Sequence, residues 1–185
     1  MENIETLLSV VDENSSVFTI RKKFLIIADL LLFHCHIETD ECKYRILEIE
    51  FYFKNNNHKD DVTITRNEKP GMWWLHESGV DITFNSKGKK CCGGILIRSI
   101  VPENSNQVIC GPRNCCWYLF YSSALNPTKT PIIKMNKEGV VNTGIMDRTE
   151  RYIPGDNKGI NSKYRFYVKG LNIDIEKNYD ASPWK

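Results

Sequence analysis

The sequence predicts a single-domain α+β fold: a mostly antiparallel, curved sheet packed with helices. Three observations carry this. Runs with period-two alternation recur along the chain, most clearly at 44–53, 91–103 and 164–169. Turn-forming residues separate several neighbouring runs by only a few positions, which is hairpin spacing, and the regular strand–helix alternation of a parallel sheet is missing. The chain has 185 residues, 41% hydrophobic and 26% charged, enough for one core and ordinary for a globular protein. The domain is expected over 20–175, preceded by an N-terminal segment (1–19) and followed by a loose tail (176–185).

Taken in order, 3–11 is weakly helical and "DENSS" (12–16) interrupts it with capping residues. Residues 19–30 fit a helix, with Thr19 as a candidate N-cap and Phe24, Ile27 and Leu31 on one stripe. "LLFHCHI" reads as a strand, "ETDE" as a turn, and "YRILEIEFYF" (44–53) as the second arm of a hairpin. Period two places Arg45, Leu47, Ile49, Phe51 and Phe53 on one face of that arm. Tyr44, Ile46, Glu48, Glu50 and Tyr52 fall on the other, and large apolar groups on both imply a strand covered on both sides. Residues 54–70 form a polar loop with a short extended piece at Val62–Thr65; loops of this length in compact domains are often functional. "GMWWLHES" and "GVDITF" are two strands split by Ser78-Gly79, "NSKGKK" is a basic turn, and "CCGGILIRSIVPE" is a strand closed by Pro102. "CGPRNCCWYLFYSSAL" starts a helix at Pro112, where the missing N–H costs nothing. Residues 126–163 give no clear assignment, and "KYRFYVKGLNIDI" is the last strand.

The net charge of +2 neither requires nor excludes a nucleic-acid partner. The acidic start lacks a basic region before an apolar core, and "FLIIADLLLF" is too short to span a bilayer. The expectation is an intracellular protein, of cytoplasm or nucleus, away from membranes. Seven cysteines, an odd number, read as free thiols in a reducing compartment. Their spacing, and that of His34 and His36, is poor for zinc, so buried inert thiols are preferred and no metal is expected.

Glu48 and Glu50, two apart on a strand, lie roughly 7 Å apart by strand rise and can line one cavity. They can equally be solvated glutamates paired with cations, the commoner arrangement. Tyr52, Trp73, Trp74, Trp117, Tyr118 and Tyr121 either fill the core or stack on a planar ligand. The candidate cations are Arg66, Lys69, Lys87, Lys89, Lys90, Arg98, Arg113, Arg165 and Lys169. Arg98 alternates with Leu96 and Ile100, which demands a sheet end or a buried carboxylate partner.

The order of short motifs adds to this. "EIEFY" (48–52), "H…TRN" (58–67), "KPGMWWLH" (69–76), "GGILIRSIVPE" (93–103), "ICGPRNC" (109–115) and "RFYVKG" (165–170) follow in series. The series resembles that of the alkyladenine (methylpurine) type DNA glycosylases over 20–170. The resemblance implies the single-domain mixed fold of that family and a cofactor-free enzyme that flips a modified purine out of DNA. By position, Glu50 resembles the carboxylate that activates water for attack on C1′, and Arg98 the arginine lining the DNA side of the site. Tyr52 and His58 resemble opposing walls of the base pocket, with Trp74 and His76 beside them, and Asn85 matches an asparagine that limits which purines fit. Lys87, Lys89, Lys90 and Arg113 would contact DNA. The chain departs from the family at "WWLHESG": His76 replaces a tyrosine, and Glu77 or Ser78 stands where the family places its intercalating tyrosine. The expected activity is monofunctional base excision from damaged or modified DNA by a monomer. Two alternatives stay open: a hydrolase of another nucleotide or of a single-stranded substrate, and a nucleic-acid or nucleotide binding module without catalysis.

Overall fold

Lys43–Lys54 forms a twelve-residue strand, β2, that organises the rest of the computed structural model. The structure describes residues 4–9, 11–125, 130–137, 139–153 and 162–171, so the expected tail at 176–185 lies outside the described residues. One edge of β2 pairs along its length with β5 (Cys92–Pro102). The other edge is shared: its first residues pair with β1 (Cys35–Glu38), and Glu48–Glu50 pair with β9 (Arg165–Lys169). Beyond β5 come β4 (Gly79–Thr83) and the edge strand β3 (Trp73–His76); beyond β1 comes β7 (Ile132–Met135). Two short additions, β6 (Ile109–Cys110) on β5 and β8 (Ile145–Thr149) on β9, complete a curled antiparallel sheet, a half-barrel, in the predicted α+β class.

Helix α2 (Val17–Asp29) lies on one face of the sheet, with Ile20, Phe24, Ile27 and Ala28 buried. Phe24 stacks on Phe51 at 4.3 Å and meets Tyr164 edge-on at 5.1 Å, so one aromatic group ties the helix to β2 and to the residue that leads into β9. Helix α1 (Ile4–Ser9) adds Leu7 and Leu8 to the same core. Helix α3 (Pro112–Leu125) packs against β4 and β5.

Several expectations are corrected. The α2 cap is Ser16, not Thr19: the Ser16 hydroxyl accepts the Thr19 N–H at 3.1 Å, three residues into the helix. "LLFHCHI" is not all strand, because Leu30–His34 continues the helix as a π-helical turn and β1 begins only at Cys35. Val62–Thr65 pairs with no strand. The unassigned region 126–163 supplies β7 and β8.

The faces of β2 and β5 also differ from strict alternation. Ile46 and Ile49 both enter the main core although they are three apart, and so do Ile97 and Ile100. The register slips by one between Ile46 and Glu48 and returns between Glu48 and Ile49, leaving an extra residue, Leu47, on β2 and another, Arg98, on β5. Tyr44 and Ile46 therefore share the core with Phe51, and Ile100 does not share a face with Leu96 and Arg98. Leu47 packs instead with Val101, Val108 and Cys110 in a smaller cluster.

Candidate active site

Residues directly opposite on adjacent strands project to the same side of a sheet. The register lines up Trp74, Asp81, Leu96, Glu50 and Arg165 across β3, β4, β5, β2 and β9. This row carries the charge of the face turned away from Phe24. The paired slips add to it by turning two consecutive β5 residues toward Glu48. Arg98 Nε donates to Glu48 Oε1 at 3.3 Å, and the Ser99 hydroxyl donates to Oε2 at 2.8 Å.

Glu48 and Glu50 are both fully buried. Arg98 joins them, its Nη1 donating to Glu50 Oε2 at 3.2 Å. Arg165 Nε donates to Glu48 Oε1 and lies 3.7 Å from Glu50 Oε1. Two carboxylates and two guanidiniums thus balance to zero formal charge, which makes their burial tolerable. Burial still dominates at Glu48, holding its carboxyl above the usual carboxylate range against the pull of Arg165 and Arg98. Glu50 accepts two further bonds, from the Tyr52 hydroxyl at 2.8 Å and the Tyr152 backbone N–H at 2.7 Å. Burial, and then Glu50 itself, push the Tyr52 phenol well above its ordinary pKa, so Tyr52 keeps its proton and donates it to Glu50.

Beside this cluster opens a cavity of about 620 Å³, within the size range of small-ligand sites. Tyr52, Leu96 and Arg98 line it from the sheet, and Val62, Ile64 and Arg66 from the polar loop. His76, Ser78 and Asp81 come from the β3–β4 hairpin, Gly111–Asn114 from the start of α3, and Tyr152 and Ile153 from the segment after β8. Gly79 keeps that hairpin against α3, since its φ of +144° suits glycine and a Cβ there would stand 2.7 Å from Pro112 Cβ. The long loop is pinned by Asn55, which bonds the Asp12 and Ser15 carbonyls, and by Asp60, which receives Arg151 at 2.6 and 2.9 Å. Arg151 also lies over the Tyr52 ring at 4.6 Å, fixing that ring from behind.

A second charged corner faces the same cavity. Arg66 donates to Asp81 Oδ2, and His76 Nε2 lies 3.3 Å from Asp81 Oδ1. Trp74 stacks on His76 at 4.9 Å, with the Arg66 guanidinium 4.1 Å over the Trp74 ring.

Tyr52, Arg98, His76 and Arg113 line the cavity. Glu50 does not line it: the carboxylate lies behind Tyr52, Arg98 and Tyr152, three cavity residues that all bond to it. His58 is no wall either. It is buried with Nδ1 on the Phe53 carbonyl at 2.7 Å and Nε2 on the Tyr164 hydroxyl at 2.9 Å, because the loop needs a polar anchor where it crosses the core. Trp74 supports His76 rather than facing a ligand. Asn85 sits beside α1, its N–H on the Leu8 carbonyl. Lys87, Lys89 and Lys90 occupy the exposed turn before β5, whose first residue lies about 20 Å from Arg98 by strand rise. None of these three lines the cavity.

Sequence reasoning did not single out Asp81 or Tyr152. Asp81 leaves a faint signal, an acidic residue between the core residues Val80 and Ile82. Tyr152 leaves none, because it acts through its backbone N–H. All seven cysteines are free, five of them buried, and burial raises the Cys35 thiol to about 12. Among the described residues no group of three His, Cys, Asp or Glu is placed to hold a metal ion, and no helix is long and apolar enough to cross a membrane. The chain matches no protein-family model, and no curated protein matches it.

Proposed function

We propose that the protein is a monofunctional DNA glycosylase that hydrolyses the N-glycosidic bond of a modified purine flipped out of DNA into this cavity. The observation that carries the reading is the convergence of Tyr52, Arg98 and Tyr152, all lining the cavity, on the buried carboxylate of Glu50. The order of motifs around these residues supports it. The purine lies against the Tyr52 ring with its sugar toward Arg98. As the C1′–N bond breaks, the base keeps the bonding pair and positive charge grows on the sugar. The carboxylate of Glu50, fixed close behind the wall, stabilises that charge. A water attacks C1′ and passes its proton to the Tyr52 oxygen while the Tyr52 proton moves to Glu50, so the carboxylate acts as general base through one hydroxyl. Arg98 holds Glu50 in place and touches the sugar side. Arg113, at the start of α3, is the cation best placed for a phosphate near the cavity. Among the described residues no lysine lines the cavity, and the reading predicts an abasic site without Schiff-base lyase chemistry.

Duplex oligonucleotides carrying hypoxanthine, ethenoadenine or a methylated purine test this. Incubation followed by hot alkali should give strand breaks at the modified base, and Glu50→Gln should abolish them. The sealed position of Glu50 favours a second reading, a base-binding module that has lost catalysis. That reading predicts binding without breaks, unchanged by Glu50→Gln.

A further inference from the structure

We propose that the Arg66–Asp81–His76 corner reads the far edge of the bound base, and that the preferred base is a guanine-type purine presenting two adjacent N–H donors. This rests on reading the cavity as a base pocket. Asp81 and Glu50 flank Leu96 in one row across the sheet, which separates their Cα atoms by about 10 Å at two strand spacings. With the glycosidic bond at the Tyr52 end, the opposite edge of a purine points toward Asp81.

The chemistry of that corner selects a donor edge. The Ser78 N–H donates to His76 Nδ1 at 3.3 Å, which leaves the ring proton on Nε2 and directs it to Asp81 Oδ1. Arg66 occupies one lone pair of Oδ2. Each carboxylate oxygen keeps a second lone pair, so Asp81 can accept two parallel N–H bonds and can donate none. Guanine offers such a pair from N1 and N2, hypoxanthine offers N1 alone, and adenine sets a lone pair at N1 against the carboxylate. A site built around a buried acceptor rejects ligands that leave it unmatched.

Stability alone gives little reason for the corner, because a buried ion pair is often no better than an apolar substitute. Asp81 is nevertheless only 2% exposed while lining the cavity. The backbone is shaped around it: a Cβ on Gly94 would stand 2.6 Å from Asp81 Oδ2 and collide with Arg66, so only glycine leaves the pair its space.

Titrating the full chain with guanosine, inosine and adenosine monophosphate, followed by calorimetry, tests this without any cleavage. The guanine nucleotide should bind at least about tenfold tighter than the adenine nucleotide, with hypoxanthine between them. Asp81→Asn should flatten the series; if that variant does not fold, the order in the wild-type protein still decides. Equal affinities, an adenine preference or no binding would overturn the inference. A guanine preference without strand breaks on oligonucleotides would overturn the glycosylase reading alone. Strand breaks with an adenine preference would overturn this inference alone.

Discussion

His58 bonds through both ring nitrogens, and its burial lowers the imidazole pKa from the ordinary value of 6.5. The unfolded chain takes up a proton near that value and the folded protein does not. The stabilising contribution is therefore complete above 6.5 and is lost as pH falls from there toward the lowered folded value. The urea midpoint should drop between about pH 7.5 and about pH 5.5, and His58→Gln should shrink that drop. An equal drop in the variant would show that His58 is not its source. The sequence holds the histidine but not its burial, which is why a core anchor and a pocket wall look alike there. Glu50 and Tyr52 were more legible, since β2 is long and its alternation is unbroken from Ile49 to Lys54.

At the scale of elements, β2, β4, β5 and β9 were readable because their apolar residues keep one period over most of their length, and α3 through the proline that opens it. β7 and β8 were not, being short and only partly buried. The slips at Leu47 and Arg98 were hidden for another reason: period analysis assumes the period never breaks. They also matter most, since they bring both Arg98 and Ser99 onto Glu48. The start of α2 gives a direct check. Ser16 bonds both the Thr19 N–H and the Thr19 hydroxyl. Ser16→Ala should cost about 1 kcal/mol, or roughly 2–4 °C in Tm for a chain of this size. Thr19→Ala should cost less, because the cap to the backbone survives it. The reverse ranking in thermal denaturation would restore Thr19 as the cap.

Across the whole molecule, the half-barrel divides two incompatible environments. One face is packed by Phe24, Phe51 and Phe84. The other buries Glu48, Glu50, Arg98 and Arg165 with no net charge and opens beside them into the cavity. Strand order was not readable from the chain, so the line from Asp81 through Leu96 to Glu50 emerges only when strands distant in sequence are placed side by side. That arrangement sets Glu50 one residue behind the cavity wall, with the Tyr52 hydroxyl as its link. Single-turnover excision by Tyr52→Phe tests this link most directly. The ring wall remains, so affinity for an oligonucleotide with a modified purine should stay within about twofold, while the excision rate falls about 100-fold or more. An unchanged rate, or a loss of affinity that accounts for the whole effect, would contradict catalysis by Glu50 through Tyr52.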